Sequence, residues 1–255
     1  MELSKQVNAE LYPEVAAARS LSNALDQALA AVGSPLHANA EVNFIPIART
    51  AEGSRFCQMY MAAHERLFIV EFSAKGITYG RGSSISLNDA ARAIHFWIID
   101  QPNIAQMQAR FSFFVADEQA IAQEASRLVE YQWGRLLKTW RVRTNPNLDA
   151  KSPLPLIEAA MKKPELAQLF PFTSMNSLHF SRTTGYPFTN DCPCAIPIGN
   201  NRFRAYGARL GQERMAKVIG DGTAEQVVAM LVAHLPPNCG PAVDGTADDL
   251  NEEQS

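Results

Sequence analysis

The chain has 255 residues, of which 47% are hydrophobic and 19% charged, and its formal net charge at pH 7 is −3. This composition is that of a globular protein, and a charge near neutrality argues against nucleic acid or an anionic membrane surface as the partner. No apolar run approaches the roughly 20 residues needed to span a bilayer, and the N-terminus, MELSK, does not resemble a secretory signal. The 4 cysteines are too few for a disulfide scaffold, so we expect a cytoplasmic protein with reduced thiols.

The N-terminal part of the sequence predicts a helix followed by a β-meander. Apolar residues at helical spacing begin at Tyr12-Pro13 and end at Val32, before Gly33. Four short apolar segments separated by tight turns then predict antiparallel strands: Val42–Ala48, Phe56–Ala62, Leu67–Phe72 and Ile77–Gly80. The Gly/Ser-rich segment Arg81–Ser84 lacks the Gly-Lys-Ser/Thr ending of a phosphate loop, so we interpret it as a strand-to-helix turn.

Two further helices complete the predicted first unit. The segment Leu87–Ile99 follows a pattern that resembles a capping box and predicts a helix. The longest predicted helix runs from Asp117 to about Arg143, and its apolar stripe between Ile121 and Trp140 is typical of a core or a dimer seam. The turn-forming segment Thr144–Asn147 ends this helix and is the best linker candidate, which sets the first unit at residues 1–148.

The remaining residues predict a smaller, mixed α/β unit at residues 149–247. Its predicted elements are short helices, one strand, a hairpin and a capped final helix: Leu154–Met161, Pro164–Leu169, Ser177–Arg182, Ala195–Ile198 with Arg202–Gly207, and Thr223–Leu235. Residues 248–255 form an acidic tail that we expect to be frayed and disordered. The predicted fold class is therefore α+β: an antiparallel β-meander with flanking helices, followed by the C-terminal unit.

One irregular segment, Leu169–Pro197, concentrates the residue types that carry chemistry, and we call it the central stretch. Many aromatic and hydroxyl side chains occur in it, together with His179, Arg182, Asp191 and Cys192. Ordinary loops are less aromatic, and ordinary helices contain less Pro and Gly. We therefore interpret the central stretch as a functional connection packed over the domain.

Nucleophilic catalysis and metal binding are two candidate activities for this segment. Cys192, His179 and Asp191 would supply a thiol, a base and an orienting carboxylate, but no protease-like cysteine signature is present. The structural alternative, which we favour, has His179 pointing away from Leu178 and Phe180 on a strand, with Asp191 capping a turn. The His and Cys spacings match no metal motif, so we predict no metal ligands, and the sequence names no cofactor.

An anion site is the third candidate. Five arginines lie close together in the sequence of the C-terminal unit: Arg182, Arg202, Arg204, Arg209 and Arg214. Arg202 and Arg204 point to the same face of the predicted hairpin, and arginine pairs bind carboxylates or phosphates through bidentate hydrogen bonds. The rings of Tyr186, Phe188 and Tyr206 would stack on a planar ligand. The alternative is a solvated sheet face with scattered salt bridges.

Several motifs in the C-terminal half carry a resemblance to a known family. These are Phe170–Ser174, Leu178–Arg182, Gly185–Pro187, Asp191, Leu235-Pro236, Cys239–Val243 and Gly245–Ala247, with Leu11–Glu14 near the N-terminus. With these residues the chain resembles a bacterial family of unknown function that is often labelled natural product biosynthesis protein. The label implies an association with secondary metabolism and favours a small-molecule role, and it names no catalytic residue.

We therefore expect an accessory or tailoring protein of a bacterial secondary-metabolite pathway that binds an anionic or aromatic small molecule. The expected ligand-binding residues are Ser181, Arg182, Tyr186, Arg202 and Arg204, and the expected proton-transfer residues are His179 and Asp191. The sequence does not decide whether the protein is an enzyme.

Two other functions remain open. A non-catalytic interaction protein, such as an immunity, self-resistance or partner-binding factor, would use the apolar stripe of the long helix and the acidic tail. Alternatively, the central stretch is purely structural and its aromatic residues fill the core. A pocket lined by His179 and Arg182 would favour a small-molecule ligand, whereas a flat apolar surface would favour a biosynthetic protein partner or a homodimer.

Overall fold

The structure is a computed structural model that describes residues 8–42, 46–142, 151–208, 216–237 and 239–252. Its fold is α+β, as predicted, with two antiparallel sheets and ten α-helices in the described residues. The chain divides into two compact units, Met1–Glu124 and Ala125–Ser255. The predicted linker Thr144–Asn147 and the predicted boundary at residue 148 lie outside the described residues.

The first unit contains a six-stranded sheet in which every strand pairs with its neighbour in sequence, so the predicted meander is confirmed. Its strands are β1 Asn39–Val42, β2 Pro46–Glu52, β3 Arg55–Met61, β4 Phe68–Ala74, β5 Ile77–Ser84 and β6 Phe114–Ala116. The single strand predicted at Val42–Ala48 is wrong, because Val42 ends β1 and Pro46 begins β2. Proline is tolerated at the first position of a strand, where its missing N–H is least needed.

The turn predicted at Arg81–Ser84 is also wrong, because these residues continue β5. Its glycines are needed for close packing against the neighbouring segment. A Cβ atom at Gly80 would lie 2.5 Å from ring atoms of Phe114, and one at Gly82 would lie 2.7 Å from the ring of Phe113. Gly82 was predicted as a turn residue and Gly80 as the end of the strand, whereas both allow a close approach of the chain within the sheet.

The helices of the first unit are α1 Pro13–Ala18, α2 Leu21–Ala31, α3 Leu87–His95, α4 Ile104–Arg110 and α5 Glu118–Glu124, and a π-helical turn, Phe96–Asp100, follows α3. The predicted first helix is thus two helices. Arg19 adopts a left-handed conformation, φ 65°, and the Ser20 side chain caps α2 by accepting from the Asn23 N–H. Serine is a strong N-cap residue, so the break has a signal in the sequence.

The longest predicted helix is divided as well. Its C-terminal part is α6, Leu128–Val142, and Ser126 between α5 and α6 has a φ of 55°. Ile121 is 50% exposed whereas Trp140 is 6% exposed, so no continuous apolar stripe joins them. Trp133, Leu136 and Trp140 belong to the core of the second unit.

The second unit is built on a five-stranded antiparallel sheet with the order β11-β10-β9-β8-β7. Its strands are β7 Phe170–Ser174, β8 Ser177–Ser181, β9 Cys194–Gly199, β10 Arg202–Tyr206 and β11 Val218–Gly222. The helices of this unit are α6, α7 Leu154–Ala160, α8 Pro164–Ala167, α9 Ala224–Ala233 and α10 Ala247–Glu252. The predicted hairpin and the capped helix are confirmed, and the predicted tail is helical from Ala247 to Glu252.

One face of this second sheet forms the core. Leu178 and Phe180 of β8, Ala195 of β9 and Phe203 and Ala205 of β10 are buried in one cluster with α6, α7 and α9. Because side chains alternate along a strand, the residues between them point to the opposite face. That opposite face carries the candidate site.

At the edge of the sheet, α6 contacts β7. The buried Gln132 side chain donates a hydrogen bond of 2.8 Å to the carbonyl oxygen of Pro171, and it accepts one of 2.8 Å from Nε of Arg135. The strand β7 was not predicted, since a proline within a short segment argues against a strand unless the strand lies at an edge.

None of the helices in the described residues is long and apolar enough to cross a membrane.

Candidate functional site

A row of four side chains crosses the second sheet on the face opposite its core. Phe172 of β7 pairs with His179 of β8, and Cys194 of β9 pairs with Tyr206 of β10. The antiparallel pair Leu178 and Ala195 sets the register between β8 and β9, which places His179 opposite Cys194. The β7–β8 hairpin closes through Met175 and Asn176, both with positive φ, the conformation of a two-residue hairpin turn.

A pocket of about 470 Å³ lies over this row. Its walls are Phe172, Ser174, Met175, Ser177, His179, Asn190, Cys192, Cys194, Ile196, Tyr206, Gly207 and Ala216. This volume is in the range of small-molecule sites, which combine apolar walls with a few polar groups. All four members of the row line it, so the pocket follows directly from the strand register.

His179 is the titratable imidazole of the pocket. Its Nε2 lies 2.8 Å from Oγ of Ser177, and that hydroxyl donates its only proton to the carbonyl oxygen of Ser174. Ser177 must therefore accept from His179, which assigns the proton to Nε2 and makes Nδ1 of the neutral ring an acceptor. The imidazole also stacks on Phe172, with ring centroids 5.1 Å apart and an interplanar angle of 14°.

The predicted proton-transfer residue Asp191 and the predicted anion-binding residue Arg182 form an ion pair with each other. Nη2 of Arg182 lies 2.6 Å from Oδ2 of Asp191, and both side chains are about one-third exposed. The hydrogen bond to Asp191 raises the pKa of Arg182 above its ordinary value. Neither residue lines the pocket, although Asn190 and Cys192 on either side of Asp191 do.

The thiol of Cys192 is placed beside a second thiol. Its Sγ lies 3.5 Å from Sγ of Cys239 and 3.9 Å from Oδ1 of Asp191. The hydrogen bond to Cys239 and burial both raise the pKa of Cys192 well above the ordinary value. Since the thiolate is the nucleophilic form, this pKa opposes a role for Cys192 as the nucleophile of a His179-assisted reaction.

Ser181, predicted to contact the ligand, is completely buried. Its Oγ accepts hydrogen bonds from the backbone N–H groups of Thr183 and Thr189 at 3.0 and 3.1 Å, and it lies 3.1 Å from Oγ1 of Thr183. The Thr189 hydroxyl accepts in turn from the N–H of Arg182. These bonds hold the turn after β8 in place, and the described structure gives Ser181 no access to the pocket.

The other predicted ligand residues lie around the pocket or away from it. Tyr186 is 72% exposed and meets Phe188 edge to face at 5.8 Å, outside the pocket walls. Arg202 is exposed on β10. Arg204, on the same strand, forms a bidentate pair with Asp221 of β11 at 2.7 and 2.8 Å, and it contacts Tyr206 of the row. The predicted Arg209 and Arg214 lie outside the described residues.

The pair between Arg204 and Asp221 gives a testable electrostatic prediction. The hydrogen bond from Arg204 lowers the pKa of Asp221, with a smaller lowering from the charge of Arg202. We expect Arg204→Gln to raise the pKa of Asp221 back towards that of an exposed aspartate. An NMR titration of the Asp221 carboxyl carbon measures this shift. Arg202→Gln is the control and should give a smaller rise; equal shifts would show that the bidentate pair does not form.

Sequence reasoning had named His179 and Tyr206 but had not placed Phe172, Ser177 and Cys194 beside them. Side chains alternate between the two faces of the sheet along β8 and along the β9–β10 hairpin. The sequence therefore shows which of these residues share a face, once the pairing of the strands is known. What could not be read was the partner of β8 on its other side, because β7 was not recognised as a strand.

A second pocket, of about 490 Å³, belongs to the first unit. Its charged residues are already paired: Arg66 contacts Glu14 at 2.5 and 3.0 Å and also donates to the carbonyl oxygens of Leu11 and Ile85. The hydrogen bond from Arg66 lowers the pKa of Glu14. This arrangement ties the first helix to the β3–β4 and β5–α3 connections, so we assign the pocket no chemistry. Across the described residues, no group of three or more His, Cys, Asp or Glu side chains is placed to hold a metal ion.

The candidate site lies in a segment whose sequence matches a protein family. Residues 127–246 match a family of unknown function, DUF6193. The matched segment contains the whole second sheet, all the pocket walls and both thiols of the Cys192–Cys239 pair. No curated protein and no solved structure matches the chain.

Proposed function

We propose that the pocket over the second sheet binds a small molecule with a planar, aromatic part and an anionic group, and that the protein is a cytoplasmic accessory or tailoring factor of a bacterial secondary-metabolite pathway. The observation that carries the binding proposal is the row of Phe172, His179, Cys194 and Tyr206 beneath a pocket of about 470 Å³. The pathway assignment comes from the family resemblance of the surrounding motifs.

The aromatic rings on the pocket wall favour a ligand with a planar part. Phe172 stacks on His179 and also on Phe188, with the two phenylalanine rings 4.5 Å apart and inclined by 27°. These contacts fix the orientation of Phe172 and His179, and aromatic groups prefer such offset-stacked or edge-on neighbours. A flat ligand would extend this stack between His179 and Tyr206.

The arginines of β10 favour a ligand that carries an anionic group. The contact between Arg204 and Tyr206 brings a guanidinium to the rim of the pocket, where Asp221 fixes its orientation. Arg202 stands two residues earlier on the same strand and is exposed. A ligand carboxylate or phosphate at this rim would interact with Arg202 directly and share Arg204 with Asp221.

His179 is the group that would transfer a proton if the bound molecule reacts. Its Nε2 is hydrogen-bonded to Ser177, which fixes the orientation of the imidazole at the pocket wall, where the ring would exchange a proton with the ligand. Asp191 remains a second candidate, with its carboxylate held by Arg182.

A thermal-shift screen of the full chain tests the binding proposal. The probes are aromatic carboxylic acids, phosphate esters and acyl-carrier fragments. A ligand at 100 times its dissociation constant adds about 2.7 kcal/mol to the free energy of unfolding, which is visible as a higher melting temperature. We expect a shift in the wild type, none in His179→Ala, and a reduced one in Arg202→Ala for the anionic probes.

The control is Arg92→Ala, which removes an exposed arginine from α3 in the first unit and should leave every shift unchanged. If His179→Ala retained the wild-type shift with all probes, the pocket would not be the binding site. If no probe shifted the wild type, the alternative of a non-catalytic interaction protein or homodimer would be favoured. The apolar residues of α6 would not be its contact surface, since Trp133, Leu136 and Trp140 are buried in the unit's own core.

A further inference from the structure

Two thiols far apart in the sequence meet inside the second unit. Sγ of Cys192 and Sγ of Cys239 are 3.5 Å apart, although the residues are 47 positions apart in the chain. A disulfide holds its sulfurs about 2.05 Å apart, so the pair needs about 1.5 Å of combined movement to form the bond. The other cysteines of the chain, Cys57 and Cys194, are also in the thiol form.

The backbone keeps these two thiols together. The segment that follows Cys239 pairs with the end of the β8 turn: the N–H of Val243 donates to the carbonyl oxygen of Arg182, and the N–H of Thr184 donates to that of Val243. The carbonyl oxygen of Cys239 also accepts from the side chain of Gln168. These bonds anchor the segment of Cys239 beside the turn that leads from β8 towards Cys192.

The surroundings make the two sulfurs chemically different. The hydrogen bond with the Cys192 thiol lowers the pKa of Cys239, and the nearby Arg182 lowers it further, while burial and the charge of Asp191 act in the opposite direction. The same contact raises the pKa of Cys192. Cys239 therefore has the lower pKa of the two and forms a thiolate, the reactive form towards oxidants, more readily than Cys192 does.

We propose that Cys192 and Cys239 form a reversible dithiol–disulfide site that is oxidised by hydrogen peroxide. In the first step, the Cys239 thiolate attacks one peroxide oxygen. The S–O bond forms, the O–O bond breaks, and the leaving hydroxide takes up a proton to become water. In the second step, Cys192 attacks the sulfenic sulfur of Cys239, the S–O bond breaks, and the Cys192 proton leaves with the oxygen as a second water.

The balance of this reaction is two thiols and one peroxide to one disulfide and two waters, and a small dithiol reductant reverses it. Both thiols are less than one-tenth exposed, which admits a small hydroperoxide but disfavours bulky oxidants. Because Cys192 is also part of the pocket wall, oxidation would change the wall next to His179. The dithiol chemistry itself is independent of any ligand.

Peroxide treatment of the purified full chain followed by alkylation and peptide mapping tests the proposal. We expect the protein to lose the mass of two hydrogen atoms and two of its thiols to resist alkylation. The peptide map should contain one linked pair that joins Cys192 to Cys239 and disappears on reduction with dithiothreitol. The oxidised protein should melt several degrees higher, because the bond restricts the unfolded chain. Trypsin leaves Cys192 and Cys194 in one peptide, so the map is made on the Cys194→Ser variant as well.

Matched single variants separate the proposed pair from the other thiols. Cys57→Ser and Cys194→Ser should retain the disulfide at the wild-type rate, whereas Cys192→Ser and Cys239→Ser should lose it. A linkage that includes Cys194, a disulfide between two chains, or oxidation of single cysteines to sulfinic acid without a link would overturn the proposal. The wild-type and Cys194→Ser maps decide it even if a variant at a buried cysteine does not fold.

Discussion

Replacing Phe180 with alanine is expected to lower the free energy of unfolding by about 3–5 kcal/mol, the usual cost of removing a large aromatic side chain from a core. Phe180 is 2% exposed, and its ring lies 6.2 Å from that of Trp133 on α6. The alanine would leave a cavity between the sheet and α6 that the close-packed neighbours fill only in part. Urea denaturation followed by circular dichroism measures the change.

The control for this experiment is the neighbouring residue. His179 points to the opposite face of the same strand, so His179→Ala should cost far less stability while removing ligand binding. This contrast addresses the possibility that the central stretch is purely structural. If both variants destabilised the protein equally and neither changed binding, the aromatic residues of the stretch would serve the fold alone.

The second large effect is expected at Ser181, where Ser181→Ala should lower the free energy of unfolding by about 2–4 kcal/mol. The side chain is small, but its oxygen accepts from two buried backbone N–H groups, those of Thr183 and Thr189. A buried donor that loses its acceptor costs about 1–3 kcal/mol, and here two donors are affected. Denaturant unfolding at constant pH gives the value.

Ser177→Ala is the matched control for this prediction. It removes a hydroxyl from the same strand, but the Ser177 side chain is only partly buried. It should cost less than about 1 kcal/mol, because water can replace the lost partner. A cost at Ser181 no larger than that at Ser177 would contradict the role of Ser181 as the hydrogen-bonding centre of the turn. An intact fold with lost ligand binding in Ser181→Ala would restore its predicted role at the ligand.

The sequence was sufficient for much of the fold because its signals are local. Residues close together in the sequence determine these elements: the β3–β5 meander, the β9–β10 hairpin and the capping box of α9. The errors fall where a local signal was ambiguous. Gly82 is typical of a turn but lies within β5, and the left-handed Arg19 and Ser126 interrupt segments whose apolar spacing is helical throughout.

The candidate site was only partly predictable for a different reason. Alternation along β8 placed His179 on the face away from Phe180, but its neighbours come from β7 and β9, and cross-strand register is not a local property. The pairing of Arg204 with Asp221, 17 positions away on another strand, is likewise not a local property. Nothing near Cys192 in the sequence indicates Cys239, 47 positions away, as its neighbour.

The bond between Gln132 and Pro171 has a consequence for association between molecules. A strand at the edge of a sheet usually offers a free ladder of N–H and C=O groups to which another chain can add. At the second residue of β7 that ladder lacks both groups, because Pro171 has no N–H to donate and its carbonyl oxygen already accepts from Gln132. Strand addition by a partner or a second copy is therefore disfavoured at this edge of the second sheet.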